Sequence, residues 1–458
     1  MKFALAIIVL VSCAPEIWLC RARAQSGFLL TTLVSFNGTN GADPEAELVQ
    51  VGDGNFYGTT AYGGTNGYGT IFQMDSSGSL SSLVSFDVTN GADALGGLVQ
   101  GTDHLLYGTT FSGGISNNGT VFRITTNGLI NPLILFDGAG GAWPQCRLVL
   151  GRDGYFYGTT VSGGKNNVGS VFRMDTNGVW TNLVSFDFDG YSPYSGVVQG
   201  ADQNFYGLTT QGGSNGFGTI FRLTPSGSFS NLTSFSGLNG ANASAALVQG
   251  QDGNFYGTTY HGGSNGYGTA FKLTADGTLT TLTSFNGTNG SYPSAPLMQA
   301  SDGSLYGTTV AGGFDTNQTG FQYGTVFRLM TNGAFTTIAT FNSTNGSYPH
   351  AGLIQGSDGA LYGTTSAGGT SGKGTIYRLT PVLGSQPNFQ GIVEKTGSLR
   401  LTWSAVAGLK YQIQYRTNLA QNNWINFGTP VTASNVLMSA LDVVGPYSQR
   451  FYRVVLLP

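Results

Sequence analysis

Three histidines, two Gly-x-Ser-x-Gly strings and a scatter of carboxylates are the residues of this chain that could do chemistry. A histidine metal centre needs several ligands facing one point. His104, His261 and His350 fall in different stretches, and His104 reads as part of a tight turn. No shared metal site is expected. The strings at 212–216 and 262–266 match a nucleophile elbow in letters only. An elbow needs a strand before it and a helix after it. Here both lie in glycine-rich loops with no helical pattern following. Glycoside cleavage needs two carboxylates in one cleft. Asp137, Asp187 and Asp189 are the set that could converge. Solvated loop charges are the plainer reading of them. No catalytic residue, cofactor or metal is assigned.

Those residues are carried by a repeat. Tyr-Gly-Thr-Thr begins at Tyr57 and returns at Tyr107, Tyr157, Tyr256, Tyr306 and Tyr362, with Tyr-Gly-Leu-Thr at Tyr206. The seven tyrosines are spaced by 50, 50, 49, 50, 50 and 56 residues. A fixed period of this length means one supersecondary unit stacked on itself. Within a period, two short runs flank an Asp-Gly-type turn, a glycine-rich loop follows, and two further runs flank a second turn. Four short strands, a to d, fit one propeller blade. No segment holds a helical period through so many glycines.

A second signature ends each strand d: Phe36, Phe86, Phe136, Phe186, Phe235, Phe285 and Phe341. The first of these precedes the first strand a, and the last period lacks a strand d. The expected fold is therefore all-β. A seven-bladed β-propeller spans 27–381, closed by an N-terminal strand that completes the last blade and covers open edges. A linker at 382–388 leads to a small Ig- or fibronectin-like β-sandwich at 389–458, where apolar and polar residues alternate. The turn aspartates suit hairpin hydrogen bonding. The strand-c residues Arg123, Arg173, Arg222, Lys272, Arg328 and Arg378 suit pairing between blades.

Only 9% of the residues are charged and the formal net charge is -3, so no basic stripe exists for nucleic acid. Residues 1–24 read as an export signal, with Ala22-Arg23-Ala24 as a cleavage site. Leu10-Val11-Ser12-Cys13 is an alternative, a lipobox that would anchor the protein through Cys13. After cleavage at Ala24, Cys146 stands alone and no disulfide can form within the chain. A secreted or cell-surface monomer is expected, meeting a membrane only if lipidated.

What remains is a surface. In a propeller, the d–a and b–c connections share one face. Here they carry Trp143, Tyr191, Tyr194, Tyr292, Phe314, Phe321, Tyr323 and Tyr348 among amides and hydroxyls. Aromatic faces with amides and little charge suit neutral sugars or polypeptide loops. One loop, between Gly313 and Gly324, is longer than its six counterparts. The function expected is non-enzymatic binding of a polysaccharide or a surface protein on this face. The alternatives are a polysaccharide-active hydrolase or lyase, and a structural spacer.

The string GxDGxxYGTTxxGGxxxxGTxFRL, clearest from Gly250 to Leu273, resembles the GloVer tandem-repeat family of exported bacterial proteins. The resemblance covers about Leu48 to Leu379. It implies a secreted or surface repeat protein, with no functional residues to carry over. Kelch-type propellers are similar at a greater distance.

Overall fold

The computed structural model describes residues 28–313, 323–381, 389–395, 398–404, 410–417, 423–432, 437–443 and 451–456. The export signal, Cys13, the linker, Phe314 and Phe321 lie outside them. Every regular element among the described residues is a strand. Two compact units are present, one of Leu30–Thr380 and one containing Pro381–Pro458.

The first unit holds seven four-stranded antiparallel sheets. The first sheet runs Val49–Gln50 (a), Phe56–Thr60 (b), Thr70–Met74 (c) and Leu80–Ser85 (d). Five further sheets follow in the same order. The last has Ile354–Gln355, Leu361–Thr365 and Thr375–Pro381 as a, b and c, and its fourth strand is Phe28–Ser35 from the start of the chain. Strand b is buried from end to end, while strand d is half-buried or exposed throughout.

Each letter of the Tyr-Gly-Thr-Thr motif has its own task. The tyrosine ring is buried, and its hydroxyl donates to the turn aspartate, as from Tyr57 to Asp53 at 2.7 Å. The same bond recurs in all seven copies. Burial by itself raises Asp53, but the N–H of Asn55 and this hydroxyl hold it below its ordinary value. Burial and the carboxylate push Tyr206, Tyr306 and Tyr362 up to about 12. The glycine admits a strand-c ring: a Cβ on Gly58 would lie 2.5 Å from Phe72. The first threonine bonds to a backbone carbonyl of the next repeat, as Thr109 does to Cys146 at 2.9 Å. The second bonds across to strand c, as Thr110 does with Thr120. Copy four has Leu208 in the first threonine position and makes no such link there.

The contacts that join consecutive sheets also join the seventh to the first. Tyr107, Tyr157 and Tyr206 pack on Phe156, Phe205 and Phe255 of the next repeat at 3.9 to 4.2 Å. Tyr362 packs on Phe56 at 4.3 Å. Strand-a glutamines accept a turn N–H from the neighbouring repeat, as Gln249 does from Ala201. Gln50 accepts from Ser357 in the same way at 2.8 Å. Thr364 donates to Pro44 and Ala46. Strand-c arginines reach carbonyls of the following repeat, Arg123 to Thr176 and Arg173 to Pro225.

The second unit has two three-stranded antiparallel sheets. One is Phe389–Lys395, Ser398–Ser404 and Leu437–Val443; the other is Ile425–Thr432, Lys410–Arg416 and Phe451–Leu456. Leu401 and Trp403 of the first cluster with Tyr411, Ile413 and Val454 of the second. The charge of the two regions differs in sign. Residues 25–388 carry nineteen carboxylates and ten basic side chains, a formal -9. Residues 389–458 carry two carboxylates and six basic side chains, a formal +4.

Candidate functional site

The d–a links place one residue per repeat in a left-handed backbone conformation. These residues are Asp43, Asp93, Trp143, Ser192, Asn242, Tyr292 and Tyr348, with φ between 53° and 61°. None is glycine. For a bulky residue this conformation costs about 1 kcal/mol or more, and such strain collects at binding and catalytic sites. The register is fixed by two backbone bonds per residue. Its N–H donates to the b–c loop of the preceding repeat, and its carbonyl accepts from the residue after strand b of its own repeat. Trp143 donates to Asn118 and accepts from Val161; Tyr348 donates to Tyr323 and accepts from Ser366. Asp43 donates to Lys373, which hands the series from the last repeat back to the first. The seven side chains thus form a cycle at equivalent positions.

The cycle is uneven in chemistry. On one side Trp143 lies 5.8 Å from Phe111. Tyr292 stacks on Tyr260 at 5.2 Å and meets Tyr267 and His261 edge-on. Tyr348 sits 6.4 Å from Tyr323. Trp143 keeps 41% and Tyr348 39% of its surface exposed. Amides lie between them, with Asn242 donating its side-chain N–H to the Thr210 carbonyl.

On the other side the cycle is acidic. Burial, then the neighbouring Glu45, pushes Asp43 up to about 6, against the pull of His350, Ser366 and Lys373. Burial also raises Glu45. His350 is lowered by its own burial, which outweighs the Asp43 charge. Its Nδ1 lies 3.4 Å from the Ser294 hydroxyl. Tyr62 is 53% exposed and feels Asp93, Asp43 and Glu45. Four residues after Asp43, Asp93 and Trp143 stand Glu47, Gly97 and Arg147. Glu47 and Arg147 pair there at 3.2 Å, beside Gly97 of the repeat between them. Burial raises Glu47, and Arg147 offsets it.

Of the residues singled out from sequence, Trp143, Tyr292 and Tyr348 occupy cycle positions, and Tyr323 supports one of them. Tyr191 and Tyr194 flank the cycle residue Ser192; Tyr191 packs edge-on with Phe188. Asp137 and Asp187 are used in turns, accepting from the N–H groups of Ala139 and Asp189. The carboxylates that structure brings together are instead Asp43 and Glu45, with His350 from the last repeat. Sequence reasoning passed over them. The available signal was positional: each cycle residue stands two after a glycine and just before Pro or Ala. Among the described residues no group of three His, Cys, Asp or Glu is placed to hold a metal. Cys146 is buried and free, and bonds to the Thr159 backbone.

A family model described as Gloeobacter/Verrucomicrobia repeat matches residues 22–150, 99–251 and 199–414. Comparison with curated proteins gives no match. Among solved structures, the extracellular domain of BT3049 from B. thetaiotaomicron is similar at 11% identity and TM-score 0.50. That likeness covers 93% of this chain but only 57% of that one. The BP39L lectin from Burkholderia pseudomallei is similar at 10% identity and TM-score 0.50, covering 79% of this chain and 97% of the lectin. At these identities the likenesses speak for a propeller-like fold alone.

Proposed function

The chain belongs to the Gloeobacter/Verrucomicrobia repeat family, and from that premise we propose that its seven sheets are blades of one closed propeller that binds carbohydrate on the d–a/b–c face. The protein acts outside the cytoplasm, secreted or held through Cys13, and its last seventy residues form a β-sandwich. One observation carries the binding reading: seven equivalent strained positions all keep a side chain where glycine would sit without cost. Trp143 and Tyr348 are such positions, half-exposed and flanked by amides and hydroxyls. Rings of this kind stack on the apolar face of a pyranose, while the polar groups meet its hydroxyls. A lectin shares the fold, which is compatible with the reading.

The test is a glycan array followed by calorimetric titration of the best ligand. Trp143→Gly and Tyr348→Gly each weaken binding by about tenfold, the equivalent of ~1.4 kcal/mol. Each leaves the melting temperature nearly unchanged, because glycine relieves the backbone as it removes the ring. Undiminished binding in both variants overturns the reading.

A second reading, cleavage of the bound polysaccharide, rests on Asp43 and Glu45. A carboxyl near 6 can give or take a proton close to neutral pH. Release of reducing ends or unsaturated products from a polysaccharide panel, lost in both Asp43→Asn and Glu45→Gln, supports it. No release by the unaltered protein removes it.

A further inference from the structure

A hydroxyl and an imidazole meet beside the cycle. Two positions after the cycle residue, three successive repeats carry Ser244, Ser294 and His350. The last two are neighbours although 56 residues separate them, with the Ser294 hydroxyl 3.4 Å from Nδ1 of His350. Both residues are half-buried. Their backbones are firmly held. Pro293 and Pro296 stand on either side of Ser294, and Pro349 precedes His350. The carbonyls of the next residues, Ala295 and Ala351, accept from the motif threonines Thr258 and Thr308. Burial keeps His350 below its ordinary value, so the ring is neutral near pH 7 and free to accept a proton. The charge acting on that ring is Asp43. Its carboxylate accepts from the Ser366 hydroxyl, and its backbone bonds to Lys373 and Ala61.

We propose that Ser294 and His350, with Asp43 as a positioning residue, form a nucleophilic site that hydrolyses small acyl esters, such as acetyl groups carried on glycan hydroxyls. A hydroxyl beside a neutral imidazole, with a carboxylate acting on the ring, is the arrangement that acyl transfer uses on unrelated folds. The Ser294 oxygen attacks the ester carbonyl carbon, and its proton passes to Nδ1. The bond from that carbon to the sugar oxygen breaks, and the leaving oxygen takes the proton. Water then attacks the acyl carbon and gives a proton to Nδ1. Ser294 leaves with that proton as a hydroxyl, and the acid is released. The Asp43 charge stabilises the imidazolium in both halves of the cycle of reaction. The glycan as acyl carrier rests on the binding reading above; the ester chemistry does not.

The full-length protein is mixed with acetylated xylan and with p-nitrophenyl acetate, and the release of acetate is followed. The parent releases it from both. Ser294→Ala and His350→Gln each lower turnover about a hundredfold or more, while the melting temperature stays with the parent's. Ser244→Ala removes the equivalent hydroxyl of the repeat before and keeps the parent's rate. A fluorophosphonate, which loses fluoride to the attacking oxygen, labels Ser294, and mass spectrometry of the digest locates the label. Asp43→Asn moves the acid limb of the rate–pH profile to lower pH, because the imidazolium loses its negative neighbour. Glu45, Lys373 and the Tyr62 hydroxyl, the groups around Asp43, are unaltered in that variant. Hydrolysis of the aryl ester alone, still lost in Ser294→Ala, supports the site and counts against the glycan reading. No hydrolysis of either ester overturns the proposal. So does an undiminished rate in Ser294→Ala, or a label on another serine. An unmoved acid limb removes Asp43 from the site.

Discussion

The repeat domain and the C-terminal module treat their charged residues in opposite ways. In the repeats, arginines are spent on neighbours: Arg123 and Arg173 bind carbonyls of the next sheet, and Arg328 pairs with Asp302. The carboxylates left over gather on the cycle, at Asp43, Glu45 and Asp93. In the module the excess is positive, and two arginines are stacked on one tryptophan at the surface. Repetition explains the contrast. A residue that recurs seven times is constrained by the interface it repeats. The single-copy module is free to display charge, as are the non-recurring residues of the cycle.

Stability should divide along the same line. Deleting residues 28–36 removes the fourth strand of the last sheet and the buried Phe36. Calorimetry of the intact protein is expected to show two transitions. In the deletion the larger one collapses and the smaller persists. Leu401→Ala shifts only the smaller, by about 2–5 kcal/mol. One shared transition in the intact protein contradicts this division.

Binding should separate next. Trp143→Gly weakens neutral-sugar binding about tenfold and leaves both thermal transitions in place. Isothermal titration of the parent and the variant with the same glycan gives the two values, and equal affinity removes Trp143 from the binding face.

A smaller effect concerns pH. Asp43 in the folded chain titrates at about 6, above its ordinary value of 3.8. The folded state therefore holds a proton that the unfolded state has released. Its contribution to stability is present below about 4 and is lost as the pH rises through 6. Asp43→Asn removes that loss, so its advantage in melting temperature grows from pH 4 to pH 7. Asparagine is tolerated here, since Asn242 holds the equivalent left-handed position at φ 53°. An advantage that shrinks with rising pH refutes the assignment. The mildest change is Gln50→Ala, which breaks the latch to Ser357 and costs about 1 kcal/mol in denaturant titration.

Much of the fold was legible because its determinants recur. Tyr57 and its six equivalents mark strand b, and Phe36 standing ahead of the first strand a marks the strand that joins the last sheet. Phe56 against Tyr362 was not legible as a pair, only as two copies of a rule. Of the cycle positions, those with aromatic rings were legible, at Trp143, Tyr292 and Tyr348. Asp43 was hidden because the cycle residues share a backbone conformation rather than a side chain. Its link to His350 and Lys373 spans almost the whole repeat domain. The Arg416, Trp424 and Arg453 stack was hidden for a related reason: its members meet only once three strands are in register.

Among the strands of the seven sheets, Phe28–Ser35 is translated first and its neighbour Thr375–Pro381 last. Ser35 and Thr370, which bond in the folded chain, are 335 residues apart. At ordinary ribosomal speed, roughly 5–20 residues per second, that interval lasts on the order of tens of seconds. Throughout it the nascent chain carries an unsatisfied edge at its leading end, while the six sheets of consecutive strands complete in turn behind it. Vectorial synthesis therefore leaves Phe28–Ser35 without its strand partner until Thr375–Pro381 has been made.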